Sequence, residues 1–94
     1  MFDVTLGDNG HVQLVGRLDA SQAERAQKAL RDLSGHVVAD CTQLDYVSSA
    51  GITVLLEIHK RLSKDGQSFR LVGMNPRVKT VFVYTGLDKV LAIE

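Results

Sequence analysis

The sequence holds one cysteine and one proline among 94 residues, and its charge is balanced at 11 Lys+Arg against 11 Asp+Glu. Each scarcity excludes something. Cys41 has no partner for an internal disulfide, and a small domain without a disulfide framework points to a cytosolic setting. No stretch is rich in proline, serine or glycine, so no linker, repeat or low-complexity segment divides the chain. A chain that grips nucleic acid by its phosphates usually carries a basic excess. Zero net charge argues against that class and against a polybasic membrane patch. No apolar run exceeds a few residues, so no segment is expected to span a bilayer. The N-terminus, Met1-Phe2-Asp3-Val4, lacks the basic segment ahead of an apolar one that marks a secretory signal. Neither G-x-S-x-G, a P-loop nor G-x-G-x-x-G is present. His11, His36 and His59 fall on different elements without metal-ligand spacing. The expectation is a non-enzymatic chain with no metal and no cofactor.

What the sequence does have is apolar residues in ordered patterns. About a third of the residues are Leu, Ile, Val or Phe, enough to bury a core. At 10.3 kDa the chain, residues 1–94, reads as a single domain. Phe2, Val4 and Leu6 alternate as a strand does, and Val12 to Leu18 alternates again. Asn9-Gly10 between them is a strong hairpin signal, because both turn positions need positive φ. Asp19 reads as the cap of a helix over Ala20 to Leu33, closed by Ser34-Gly35. Val37-Val38-Ala39 reads as a short strand buried on both faces, and Cys41 to Val47 as a connection. A second helix starts at Ser49 and ends at Asp65-Gly66. Its apolar face is Ile52, Leu55, Leu56, His59 and Leu62, with His59 packed rather than ligating. Its outward face is Glu57, Lys60, Arg61 and Lys64. Phe69 to Val72 is a strand. Asn75-Pro76 opens a third helix lined by Val78, Val81 and Phe82, which Thr85-Gly86 stops. Val90 to Ile93 reads as a last strand or a helical turn. The order β-β-α-β-α-β-α-β predicts an α/β fold: a mixed four- or five-stranded sheet with helices packed on it.

In open α/β sheets functional groups gather beyond the carboxyl ends of the strands. Gly16-Arg17-Leu18-Asp19, Tyr46 to Gly51 and Gly73-Met74-Asn75-Pro76 are expected to meet there. Each leads into a helix N-terminus, which favours negative charge. Ser48-Ser49-Ala50-Gly51 is the informative stretch. Taken alone, its serines are caps and its small residues are packing. The small residues would also let a partner's backbone approach closely. Asp19 is a cap first, Asp40 makes a loop hydrogen bond or lines the same edge, and Cys41 is buried. Arg17 and Arg77 lie near the edge and are solvated, or contact a nucleotide or phosphate.

The run Asp40-x-x-x-Leu44-x-Tyr46-Val47-Ser48-Ser49-Ala50-Gly51-Ile52-x-Val54-Leu55-Leu56 resembles the signature of the STAS domain, the domain of bacterial anti-sigma factor antagonists. Gly16-Arg17-Leu18-Asp19 resembles the family's Gly-Glu-Leu-Asp. Val72 to Val78 and Thr85 to Val90 resemble its later segments. The resemblance covers nearly the whole chain, in order and at the right spacing, and implies a STAS-like fold.

It also implies a switch. The unmodified antagonist would bind an anti-sigma factor of the GHKL serine kinase type and free a sigma factor. That kinase would phosphorylate a serine at the start of the second helix, and a PP2C-type phosphatase would reverse it. Setting Gly51 on the family glycine places Ser49 on the phosphoacceptor, with Ser48 as the alternative. Ser48 then stands where the family pattern Asp-Ser-Ser/Thr-Gly has its aspartate. The expected partner-binding residues are Asp19, Ser48, Ser49, Gly51 and Ile52. The alternative expectation is an unphosphorylated scaffold or accessory subunit of a transport or stress-signalling complex. The family also continues into a C-terminal helix that the sequence to Glu94 does not contain, so one sheet face is expected to be left for a partner.

Overall fold

The computed structural model describes residues 1–94. Two antiparallel strands come first: β1 (Phe2–Leu6) and β2 (His11–Leu18), paired from Phe2 opposite Gly16 to Leu6 opposite Val12. The turn between them holds Asn9 at φ 58° and Gly10 at φ 77°, the left-handed pair expected of Asn-Gly. Then follow α1 (Ala23–Leu30), β3 (Val37–Val47), α2 (Ser49–Lys64), β4 (Phe69–Val72), α3 (Pro76–Tyr84) and β5 (Ala92–Ile93). The five strands lie in sequence order, β1-β2-β3-β4-β5, with every pair after the first parallel. Each crossover therefore advances one strand in the same direction. Right-handed crossovers of that kind return every helix over one face. Consistently, the inward residues of the sheet and of all three helices, joined by Met74 and Leu91 from the connections, form one cluster of 22 buried apolar residues. The opposite face carries no buried residue: Thr5, Gln13, Asp40 and Val72 lie in register across it, exposed or half-buried. No helix is long and apolar enough to cross a membrane.

Three elements differ from the sequence expectation. The segment Cys41 to Val47 is strand, not connection, and continues β3 to 11 residues. Its buried positions are Val37, Ala39 and Cys41, then Leu44 and Val47. The period of two breaks twice, matching two register shifts against β2, between Gln13 and Val15 and between Gly16 and Arg17. Bulges insert residues that erase the alternation a strand would otherwise show.

The first helix is shorter than Ala20 to Leu33. A 3-10 turn occupies Ala20–Gln22 and the α-helix ends at Leu30. The Arg61 guanidinium, expected on the outward face of α2, instead donates to the Leu30 carbonyl at 3.1 Å and the Leu33 carbonyl at 2.9 Å. It takes over carbonyls at the helix C-terminus, where positive charge is also favoured.

The last strand is only Ala92–Ile93, and a 3-10 turn over Leu87–Lys89 precedes it. On α2 the buried face is Gly51, Ile52, Val54, Leu55, Ile58 and Leu62. Leu56 and His59, expected on that face, are half-buried at its border.

Candidate functional site

The C-terminal ends of β2 and β3 meet the N-terminus of α2 at one edge. The Ser48 N–H donates to the Leu18 carbonyl at 2.9 Å, carrying the parallel pairing one step past Val47. Asp19 and Ser48 thus leave the sheet side by side. The Asp19 carboxylate accepts the Ser21 N–H at 3.1 Å and the Ser21 hydroxyl at 2.6 Å. The Ser21 hydroxyl, then the backbone N–H groups of Ser21 and Gln22, hold this carboxyl below its ordinary value. Asp19 is a cap, as expected, but of the 3-10 turn.

The two serines divide the work at the start of α2. Ser48 is the N-cap, in extended conformation at φ −91° and ψ 173°, and its Oγ accepts the Gly51 N–H at 3.2 Å. It is half-buried. Ser49 is the first helical residue and is exposed; its carbonyl accepts the Thr53 hydroxyl at 3.0 Å, while its own hydroxyl has no intramolecular partner. An N-terminal turn has free N–H groups and positive partial charge, so the Ser49 Oγ stands where an anion is well tolerated.

Gly51 and Ile52 lie under this surface. Both are buried, Ile52 at 7% exposure. A Cβ at Gly51 would stand 2.7 Å from the Leu18 carbonyl oxygen and side chain. The glycine lets α2 approach the end of β2 closely.

The third expected segment reaches the edge from one side. β4 ends opposite Asp40, so β3 runs seven residues further without it. Asn75 fills that gap. Its side-chain amide donates to the Leu44 carbonyl at 3.1 Å while its Oδ1 caps α3 by accepting the Val78 N–H at 2.9 Å. The start of α3 is thereby fixed three residues short of the β3 terminus, and Arg77 and Val81 reach Tyr46 and Val47 along a shared groove. The Arg17 guanidinium lies over the Tyr46 ring, 4.3 Å from its centre. Tyr46 carried no sequence expectation of its own; it stands opposite Arg17 just after the second register shift between β2 and β3.

Two other residues fall outside the edge. Asp40 sits in mid-strand, where its carboxylate accepts the Thr42 N–H at 2.9 Å and hydroxyl at 2.7 Å. The Thr42 N–H, then its hydroxyl, lower this carboxyl from its ordinary value. Cys41 is fully buried, and burial first, then the Asp40 charge, push its thiol up to about 12. It is a core residue, protonated at neutral pH.

Known proteins share this architecture. Residues 2–93 match the family described as Mlab, STAS domain. BtrV of Bordetella bronchiseptica, named as an anti-sigma factor antagonist, is 32% identical over 77 residues. That alignment covers 82% of this chain and 63% of BtrV. TM1081 of Thermotoga maritima, a crystal structure described as an anti-sigma factor antagonist, superposes with a TM-score of 0.82 at 24% identity, covering 98% of this chain and 84% of the other. The Bacillus cell fate determinant SpoIIAA in its phosphorylated form superposes with a TM-score of 0.71 at 17% identity, covering 100% of this chain and 91% of the other. With nearly every residue matched, and with the five-stranded mixed sheet and helices described above, the chain belongs to the STAS domain family.

Proposed function

We propose that this protein is an anti-sigma factor antagonist. It is a binding module rather than an enzyme. It engages an anti-sigma factor of the GHKL serine kinase type through the edge formed by Asp19, Ser48 and Ser49. Gly51 and Ile52 support that edge from beneath. Phosphorylation of Ser49 by the bound kinase releases the partner, and a PP2C-type phosphatase restores binding.

The carrying observation is the contrast between the two serines: the Ser49 hydroxyl is exposed and unbonded, whereas the Ser48 Oγ is engaged as the cap. This favours Ser49 over Ser48 as the acceptor. The name of BtrV supports the antagonist reading, and the phosphorylated form of SpoIIAA is a precedent for modification on this fold.

The physics is that of a charged block at an interface. A phosphate adds roughly −1.5 to −2 charges. At the first residue of α2 it meets the positive end of the helix, so the fold persists. Against a partner it adds bulk, desolvation cost and repulsion from acidic groups. The output is a loss of affinity without a change of shape.

Affinity capture from the native lysate with wild-type and Ser49→Asp protein tests this. Retention of a GHKL-type kinase by the wild type, lost with the aspartate, supports the reading. Retention of the same non-kinase partner by both forms overturns it. One observation favours that second outcome, an unphosphorylated accessory subunit: Ser48 is neutral where the family pattern carries an aspartate.

A further inference from the structure

We infer that the groove between the β2–β3 terminus and α3 receives an acidic segment of the partner protein with an apolar side chain at its centre. The identity of that partner as an anti-sigma factor rests on the reading above.

The groove has a volume of about 230 Å³ and starts one residue before Ser48. Val47, Val78 and Val81 give it an apolar lining. Two guanidiniums flank it: Arg17 on β2 and Arg77 in the first turn of α3. Neither has an ion pair or a hydrogen bond within the molecule. Of the other four arginines, Arg25 bonds Asp3 and the Phe2 carbonyl, Arg61 bonds two α1 carbonyls and Arg70 bonds Glu94, while Arg31, at the end of α1, is unpaired but has no second unpaired arginine beside it. Asp45 also lines the groove, and it lies within ion-pair distance of neither arginine.

Arg17 is held in a particular way. Its guanidinium stacks on the Tyr46 face, which orders the planar group and leaves its N–H edge free. That edge suits two carboxylate oxygens. Ordering the side chain before contact lowers the entropic cost of binding. On a chain of zero net charge, two unpaired arginines beside an apolar lining are a local feature. The complementary occupant carries carboxylates spaced around one apolar side chain. Tyr46, 39% exposed, offers the ring on which such a side chain packs.

The first test uses a synthetic peptide, acetyl-Glu-Asp-Leu-Phe-Glu-Asp-amide, titrated to millimolar concentration into the labelled full chain and followed by amide chemical shifts. Shifts confined to Arg17, Tyr46, Val47, Arg77, Val78 and Val81, and absent from the double variant Arg17→Glu/Arg77→Glu, support the groove. An absence of shifts, shifts elsewhere, or equal shifts with a peptide carrying lysine in place of each acid overturn it.

The second test uses a purified anti-sigma factor kinase that binds the wild-type chain. Arg17→Glu and Arg77→Glu each weaken binding about tenfold or more, mainly by slowing association, and flatten its salt dependence. Arg31→Glu, an exposed control on α1's far end, leaves it unchanged. Undiminished binding by both groove variants overturns the groove and leaves the antagonist reading standing. If no anti-sigma factor binds the wild type while the peptide occupies the groove, the antagonist reading fails and the acidic-segment site remains.

Discussion

Gly51 of α2 sits so close to Leu18 of β2 that a Cβ on the glycine would stand 2.7 Å from the Leu18 carbonyl oxygen. That same carbonyl accepts the Ser48 N–H, so one backbone group sets both the strand extension and the approach of the helix that carries the serines. Replacing Gly51 by Ala has two opposing effects. Helix propensity improves by roughly 0.5–1 kcal/mol. The added methyl meets backbone, which cannot swing aside, and overpacking of this kind costs about 1–3 kcal/mol. Gly51→Ala is therefore expected to lower stability by about 1 kcal/mol, read as a lower urea midpoint. It is also expected to weaken partner binding, because the Ser48–Ser49 turn moves with the helix end.

Ser48 and Ser49 are adjacent, yet their alanine variants are expected to differ in kind. Ser48→Ala removes the cap of α2 and should cost about 1 kcal/mol. Ser49→Ala removes an exposed, unbonded hydroxyl and should change stability by less than about 0.5 kcal/mol. Phosphorylation should follow the reverse pattern, lost in Ser49→Ala and retained in Ser48→Ala. Urea denaturation together with mass spectrometry after kinase treatment separates the two effects.

Arg61 joins α2 to the end of α1. Truncation to alanine leaves the Leu30 and Leu33 carbonyls without their charged donor. Arg61→Ala is expected to cost about 1.5–3 kcal/mol, the range for hydrogen bonds to charged groups. Faster amide exchange should be confined to the last turn of α1 and residues 31–35. Uniformly faster exchange across the chain would contradict a local capping role.

The Cys41 thiol gives a pH-dependent readout. Its value in the folded chain is about 12, against 9.0 for an ordinary thiol. The raised value means that the fold favours the protonated form. The associated stability is complete below about pH 9 and is lost as pH climbs toward 12. At pH 8 the native chain is expected to react with a disulfide reagent only through unfolding, so the labelling rate should rise with urea. Rapid labelling without denaturant would contradict the burial.

Some signals that act over three or four residues are legible in the sequence, while the Ser34-Gly35 stop is not, since α1 already ends at Leu30. Asn9-Gly10 makes its turn because two left-handed residues in succession are cheap only for such a pair. Ser48 and Asn75 cap their helices and Asp19 caps the 3-10 turn ahead of α1, since each side chain bonds an N–H two or three residues ahead. The family was legible from the order and spacing of its motifs along nearly the whole chain.

The length of β3, the end of α1 and the meeting of Arg17 with Tyr46 depended on partners far along the chain. Two β-bulges concealed the strand from Cys41 to Val47, and bulges show only against a paired neighbour. Arg61 looked like solvated charge until α1 packed beside it. Gly51 looked open to a partner until Leu18 lay against it. Turns and caps are settled by dihedral preference and short-range hydrogen bonds. Register, helix ends and the exposure of a side chain are settled by contacts between residues tens of positions apart, which exist only once the sheet and helices have assembled.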